Sequence, residues 1–270
     1  MTDISKVQFG RIYSPDARDL RFPLRAMLPS NIPQVSRFYK TGPVLDQGSS
    51  SECVGYSWRQ FLSSEPTLTT DGMTAHEIYH EAQVNDEWPG EDYSGSSVRG
   101  GAKALSIAGC LKSYVWAGSA ADVRDFLIST GTVVMGTDWL SDMMTPSSAG
   151  VLDVSGQVEG GHAYLLCGYS VETKRFQMVN SWGTTWGLSG IAWINFRDLD
   201  KLLKRSGEAC AAVEQALLPT VPTIDQLASQ ITALAQRVTT LETRPVPIVI
   251  AGRQIAEATA LGTDPTWPRE

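Results

Sequence analysis

The stretch HAYLLCGYSVETKRFQMVNSW, residues 162–182, decides the fold. Two runs rich in aliphatic and aromatic residues, HAYLLCGYSV and FQMVNSW, flank a polar turn, the pattern of a β-hairpin. His162 opens the first run and Asn180 closes the second, 18 residues on (180 − 162). Antiparallel pairing would bring the two side chains to one end of a sheet. There the Asn180 amide oxygen can accept one imidazole N–H and hold the ring in one orientation. Trp182 is placed to cover that bond and exclude water.

Further short strands lie on both sides of this hairpin, TVVMGTDW before it and GIAWINF after it. Before Gly131 the pattern is helical. Val54, Trp58, Phe61 and Leu62 recur at i, i+4, i+7 and i+8, one apolar stripe of an amphipathic helix, with Ser51 as its expected N-cap. Thr74 and Glu77 form a capping box for AHEIYHEAQ, and Ser97 and Ser119 cap helices over 97–110 and 120–130. DLDKLLKR reads as one further helix. Helices first and strands second predict an α+β domain, a helical half and a β-rich half with a cleft between them.

The first helix begins at Cys53, in the run QGSSSECVGYSW. A free thiol has a pKa of about 8.5 and attacks carbonyls as the thiolate. A helix N-terminus and a nearby imidazolium both lower that value. Cys53 is therefore the expected nucleophile, His162 its general base and acid, and Asn180 the orienting group. The resting state is expected to be a thiolate–imidazolium pair. The Cys53 backbone N–H and the Gln47 side-chain amide are the expected oxyanion donors.

The bulk numbers bound the alternatives. The chain has 270 residues, 42% hydrophobic and 19% charged, as in a globular protein. A net charge of -7 argues against nucleic acid as the main partner. No apolar run approaches the roughly 18 residues of a membrane span, and the first residues lack the layout of a secretory signal. Synthesis in a reducing cytoplasm is expected, so Cys110, Cys167 and Cys210 read as small buried hydrophobes rather than disulfide partners. No cofactor is expected.

These motifs resemble those of the papain-type cysteine peptidases, over roughly residues 10–215. The active-site signature is similar to Gln47-Gly48-Ser49-Ser50-Ser51-Glu52-Cys53, the His motif to Gly161-His162-Ala163, and the Asn motif to Asn180-Ser181-Trp182-Gly183 with Trp186-Gly187 following. The resemblance implies a papain-like two-part fold, a Cys53-His162-Asn180 triad, Gln47 in the oxyanion hole and a peptide or protein substrate. DARDLRFPLRA and GSSVRGGAKAL look like bacterial and phage members. Ser50 stands where secreted members have a disulfide Cys, Val54 replaces an aromatic residue, and Gly161 replaces a frequent acidic one. Cys53 to His162 is 109 residues (162 − 53), so trimmed loops are expected. With 46 residues ahead of Gln47, regulation by removal of a full propeptide is not expected.

Two other classes compete. His76-Glu77-Ile78-Tyr79-His80 matches HExxH, in which His76 and His80 would bind zinc and Glu77 act as base; no second motif marks a third ligand. A structural or virion-associated protein would keep the fold as a binding module. At the other end of the chain, Ile224, Leu227, Ile231, Leu234, Val238 and Leu241 follow an a/d heptad pattern. The expected organisation is an N-terminal arm over 1–40 lying on the domain surface, a peptidase domain over 41–220, a coiled-coil helix over 221–244 and a tail over 245–270. The heptads over 224–241 would make a dimer or trimer, or tether the protein to a larger assembly.

Overall fold

The computed structural model describes residues 6–17, 19, 23–69, 72–214, 238–239, 245–250 and 253–259. The chain divides into two units, Met1–Ala216 and Leu217–Glu270. The heptad run 224–241 falls outside the described residues except for 238–239. In the second unit, strands β8 (Pro245–Ile250) and β9 (Arg253–Thr259) form an antiparallel hairpin; their numbers follow those of the first unit.

The first unit runs β1 (Arg37–Phe38), α1 (Cys53–Leu62), α2 (Ala75–Val84), α3 (Val98–Ile107), β2 (Leu111–Trp116) and α4 (Ala120–Ser129). It continues with β3 (Val133–Leu140), β4 (Val158–Ser170), β5 (Arg175–Val179), β6 (Ile191–Asn195), α5 (Phe196–Arg205) and β7 (Glu208–Glu214). One antiparallel sheet has the order β2-β7-β3-β4-β5-β6, with β1 paired to β4. Strands β4 and β5 form the expected hairpin, Leu165 opposite Val179 and Ser170 opposite Arg175.

Alternation along β4 divides the core. Ala163, Leu165 and Cys167 face the cluster containing Val54, Trp58 and Phe61 of α1. Tyr164 and Leu166 face the opposite cluster, with Val123, Phe126 and Leu127 of α4 and Leu199 and Leu202 of α5. The sheet is thus covered by α1–α3 on one face and α4–α5 on the other. Trp58 locks α1 in place: it is fully buried, its indole N–H donates to the Val98 carbonyl at 3.0 Å, and its ring meets Phe61 edge-on at 5.4 Å. Truncating such a side chain costs about 3–5 kcal/mol.

The caps separate good sequence signals from weak ones. Thr74 and Glu77 form the capping box, and Ser97 and Ser119 accept from Gly100 N and Asp122 N. Ser51 does not cap α1. The N-cap is Glu52, without a side-chain cap bond, so the first amides of α1 are left for other partners.

Candidate active site

The β4/β5 hairpin brings His162 and Asn180 together. His162 Nε2 lies 2.7 Å from Asn180 Oδ1, which also accepts from Ser181 N at 2.8 Å. A carboxamide oxygen only accepts, so Nε2 carries the imidazole proton and Nδ1 is the basic nitrogen. Nδ1 is buried without a hydrogen-bond partner. The ring is boxed by Trp182 at 4.8 Å and Trp139 at 4.9 Å, and Phe9 meets it edge-on at 6.0 Å. Trp182 thus stands where a cover on the His162–Asn180 bond is needed.

Gln47 is pinned to the same corner. Its backbone N–H donates to Ser181 O at 2.8 Å, and its Oε1 accepts from Ser181 Oγ at 2.7 Å. That second bond fixes which end of the amide is the donor. Nε2 then points to two carbonyls, Ser50 O at 2.7 Å and Gln8 O at 3.1 Å.

Cys53 is the first residue of α1 and is fully buried. Its thiol hydrogen-bonds the backbone of Ala163, the residue after His162, and the backbones of Gly10 and Val54. Each of these bonds lowers its pKa, as an N–H donor does. Burial outweighs them and pushes Cys53 up to about 11. Burial likewise takes His162 down to about 4, against the opposing bond to Asn180. Burial in the closed site thus works against the thiolate–imidazolium pair expected from sequence, raising the thiol and lowering the imidazole.

The enclosure has a cause within the chain. The segment Gln8–Ile12 does not rest on the outer surface as the arm reading expects; it runs through the site. Ser96 N donates to Gly10 O at 2.7 Å, Arg11 N to Gly161 O at 2.9 Å, and Ile12 N to Ser96 O at 2.8 Å. Glycine permits the approach. A Cβ at Gly10 would collide with the Ser51 carbonyl, and one at Gly161 with the Arg11 carbonyl. Arg11 and Glu208, which meet in the same corner of the site, carry no motif. Glu208 lies in β7, a strand whose run of small residues (EACAAVE) gives little sequence signal.

The HExxH residues lie elsewhere. His76 is 75% exposed at its side chain, with Nδ1 3.1 Å from Glu52 Oε1. Glu77 accepts from Thr74 N at 2.7 Å in the capping box, which turns its carboxylate to the helix start rather than between the two histidines. His80 is exposed, beside Gly72 and Glu81. Among the described residues no group of three His, Cys, Asp or Glu is disposed to hold a metal ion.

The model for the papain family cysteine proteases matches residues 74–217, just over half of the chain. The match spans His162 and Asn180; Gln47 and Cys53 precede it. Solved structures of similar fold include xylellain, a cysteine protease from Xylella fastidiosa, 19% identical over 77% of this chain and 96% of that one, with a TM-score of 0.58. A digestive procathepsin L2 proteinase from the larval midgut of Tenebrio molitor is 18% identical over 78% of this chain and 79% of that one, at 0.59. Procathepsin B S9 from Trypanosoma congolense is 11% identical over 78% and 85%, at 0.52. At these identities the likeness is one of fold: a mixed helix and antiparallel-sheet domain of papain-like architecture.

Proposed function

The chain belongs to the papain family of cysteine proteases, and on that premise we propose that it hydrolyses peptide bonds through a thioester on Cys53, with His162 as base and acid, Asn180 as its orienting group and Gln47 as oxyanion donor. The observation that carries this reading is the convergence of four side chains from separated segments. His162 Nε2 is bonded to Asn180, Gln47 is bonded to the residue after Asn180, and the Cys53 thiol is bonded to the residue after His162.

The chemistry follows from the proton positions. Nδ1 of His162 takes the Cys53 proton, and the sulfur attacks the scissile carbonyl carbon. The C=O electrons move to oxygen, where Gln47 Nε2–H and the Cys53 N–H stabilise the developing charge. Collapse breaks the C–N bond, and His162 protonates the departing amine. Water, deprotonated by His162, then attacks the thioester, releasing the acid and the thiol. None of this can begin while Gln8 O holds the Gln47 donor and the Gly10 backbone holds the thiol. Turnover therefore requires the N-terminal segment to leave.

Cys167 is the other thiol near His162 in sequence, and it fits the role less well. It lies five residues along β4 from His162 and its thiol donates to Gln177 Oε1 at 3.4 Å, whereas the Cys53 thiol bonds the backbone of Ala163, the residue after His162. Cleavage of a peptide library should be lost to a thiol alkylator and retained with a chelator; the reverse pattern would sink the Cys53 reading. A bacterial or phage origin and self-association through 224–241 are part of this proposal, supported by the sequence segments and the heptads. Truncation after residue 221 should lower the mass in light scattering, and an unchanged mass would reject the heptad reading.

A further inference from the structure

The far end of the β4/β5 hairpin carries a cavity that the catalytic corner does not use. Its volume is about 670 Å³, and its lining comes from the hairpin turn, α4 and α5. Tyr169 of β4 lines it, seven residues beyond His162 (169 − 162), roughly 20 Å away at about 3.3 Å per residue. The lining shares no residue with Gln47, Cys53, His162 or Asn180.

The chain as a whole is acidic, with 29 Asp and Glu against 22 Lys and Arg. The cavity reverses that balance. Arg124, Lys174, Arg197 and Lys201 line it, against Asp198 as the carboxylate of the lining. Asp198 is already engaged, by Lys201 Nζ at 2.8 Å and Asn195 Nδ2 at 3.0 Å. Arg124 turns Nε and Nη2 toward Asp125. Lys174 and Arg197 are exposed and have no carboxylate partner among the described residues. Lys174 also stands at φ 55°, where glycine would sit without strain. The turn holds a cation there instead, with its carbonyl accepting from Phe196 N at 3.0 Å. A side chain kept at a strained position is a pointer to function.

The lining also narrows the ligand. The aromatic walls offer no free face to a nucleobase: Phe196 stacks on Phe176 at 5.9 Å and carries Arg124 at 5.8 Å, and Tyr169 is buried against Phe176 at 4.9 Å. A cavity of this size exceeds what a single oxyanion fills. The Arg124 fork faces Asp125 and is not presented to a phosphate. The cations stand on three separate elements, α4, the hairpin turn and α5, which suits carboxylates spaced along a chain. We propose that this cavity binds an acidic segment of a protein partner, whose carboxylates pair with Lys174 and Arg197 and lie beside Lys201 and Arg124. The proposal stands apart from the peptidase reading, because the two sites have no residue in common.

The test uses the full chain carrying Cys53→Ala, so that no probe is cut. Fluorescence anisotropy compares a labelled peptide of alternating glutamate and glycine with its glutamine counterpart. The glutamate peptide should bind at least about 10-fold more tightly, the scale of a few modest charge pairs acting together. Lys174→Gly with Arg197→Ala should weaken it by at least about 5-fold, whereas removing two exposed cations elsewhere, Lys40→Ala with Lys112→Ala, should change it by less than about 2-fold. Glycine suits the backbone at 174, so the first variant keeps its turn; if circular dichroism shows otherwise, Arg197→Ala with Lys201→Ala replaces it. Inorganic phosphate is the competitor, with ionic strength matched by chloride. Displacement no greater than that by chloride supports a peptide site. Displacement by phosphate at lower concentration than chloride would overturn the proposal in favour of a small-oxyanion site. Equal affinity of the two peptides, no binding of either, or equal losses in the two double variants would overturn it as well.

Discussion

Cys53 and Cys167 are both fully enclosed thiols, and burial raises both, to about 11 and about 12. What separates them is the backbone around each. Cys53 opens a helix whose N-cap makes no side-chain capping bond, and amides from three places in the chain meet its sulfur. Cys167 sits within a strand whose backbone is already paired, and its thiol bonds the carbonyl oxygens of Gln177. Neighbours that donate to sulfur stabilise a thiolate, and neighbours that accept from it stabilise a thiol. Enclosure alone therefore says little about reactivity. The enclosure of Cys53 also differs in kind, because one of its walls is the segment Gln8–Ile12, joined to the cleft by a few hydrogen bonds, while Cys167 is walled by the sheet and the core.

The sharpest break in this comparison is by deletion of each sulfur. Cys53→Ala should lose turnover by at least about 10⁴-fold, the loss seen on removing a nucleophile that acts as part of a unit. Cys167→Ala should leave kcat/KM within about 3-fold and cost about 1 kcal/mol of stability through a small cavity. Peptidase assays and denaturant unfolding of both variants read the two effects. Retained activity in Cys53→Ala with loss in Cys167→Ala would exchange their roles.

A smaller effect is expected at Gln47. Its amide is the donor aimed into the site, and Ser181 holds it there. Gln47→Ala should lower kcat by roughly 10²–10³ with little change in KM. Wild-type kinetics would remove it from the oxyanion site.

The least effect belongs to α2. His76→Ala and His80→Ala should leave turnover unchanged, and Thr74→Ala should cost about 1 kcal/mol of stability through the lost cap without touching kcat. Loss of activity in either histidine variant would revive the zinc reading.

The sequence pattern revealed the parts of this site that depend on local order. The β4/β5 hairpin, with His162 and Asn180 at one end, follows from period-two patterning and a polar turn. The caps at Thr74, Ser97 and Ser119 follow from residue types at fixed offsets. Three things lay beyond such reading. Strand β7 is Ala-rich and lacks the β-branched alternation that marks a strand. Ser51 has the right residue type for a cap, yet its carbonyl lies against Gly10. The passage of Gln8–Ile12 through the cleft rests on contacts such as Arg11 with Glu208, 197 residues apart. No local pattern encodes a pairing at that distance. The upward shift of Cys53 and the downward shift of His162 follow from the same passage, since burial is the main cause of both.

The central claim is that Cys53 is a nucleophile sealed by the chain's own N-terminal segment. The most direct measurement is the rate of covalent labelling by a thiol-directed peptidyl reagent as a function of pH, with the modified residue mapped by mass spectrometry, in wild-type and Gly10→Val protein. A raised thiol pKa means less thiolate at any given pH. In the closed wild type, labelling of Cys53 should therefore be slow near neutrality and climb toward pH 11. In Gly10→Val it should be faster, with its rise at lower pH and Cys53 as the modified residue. Identical profiles in the two proteins, or modification of Cys167 in place of Cys53, would contradict the account.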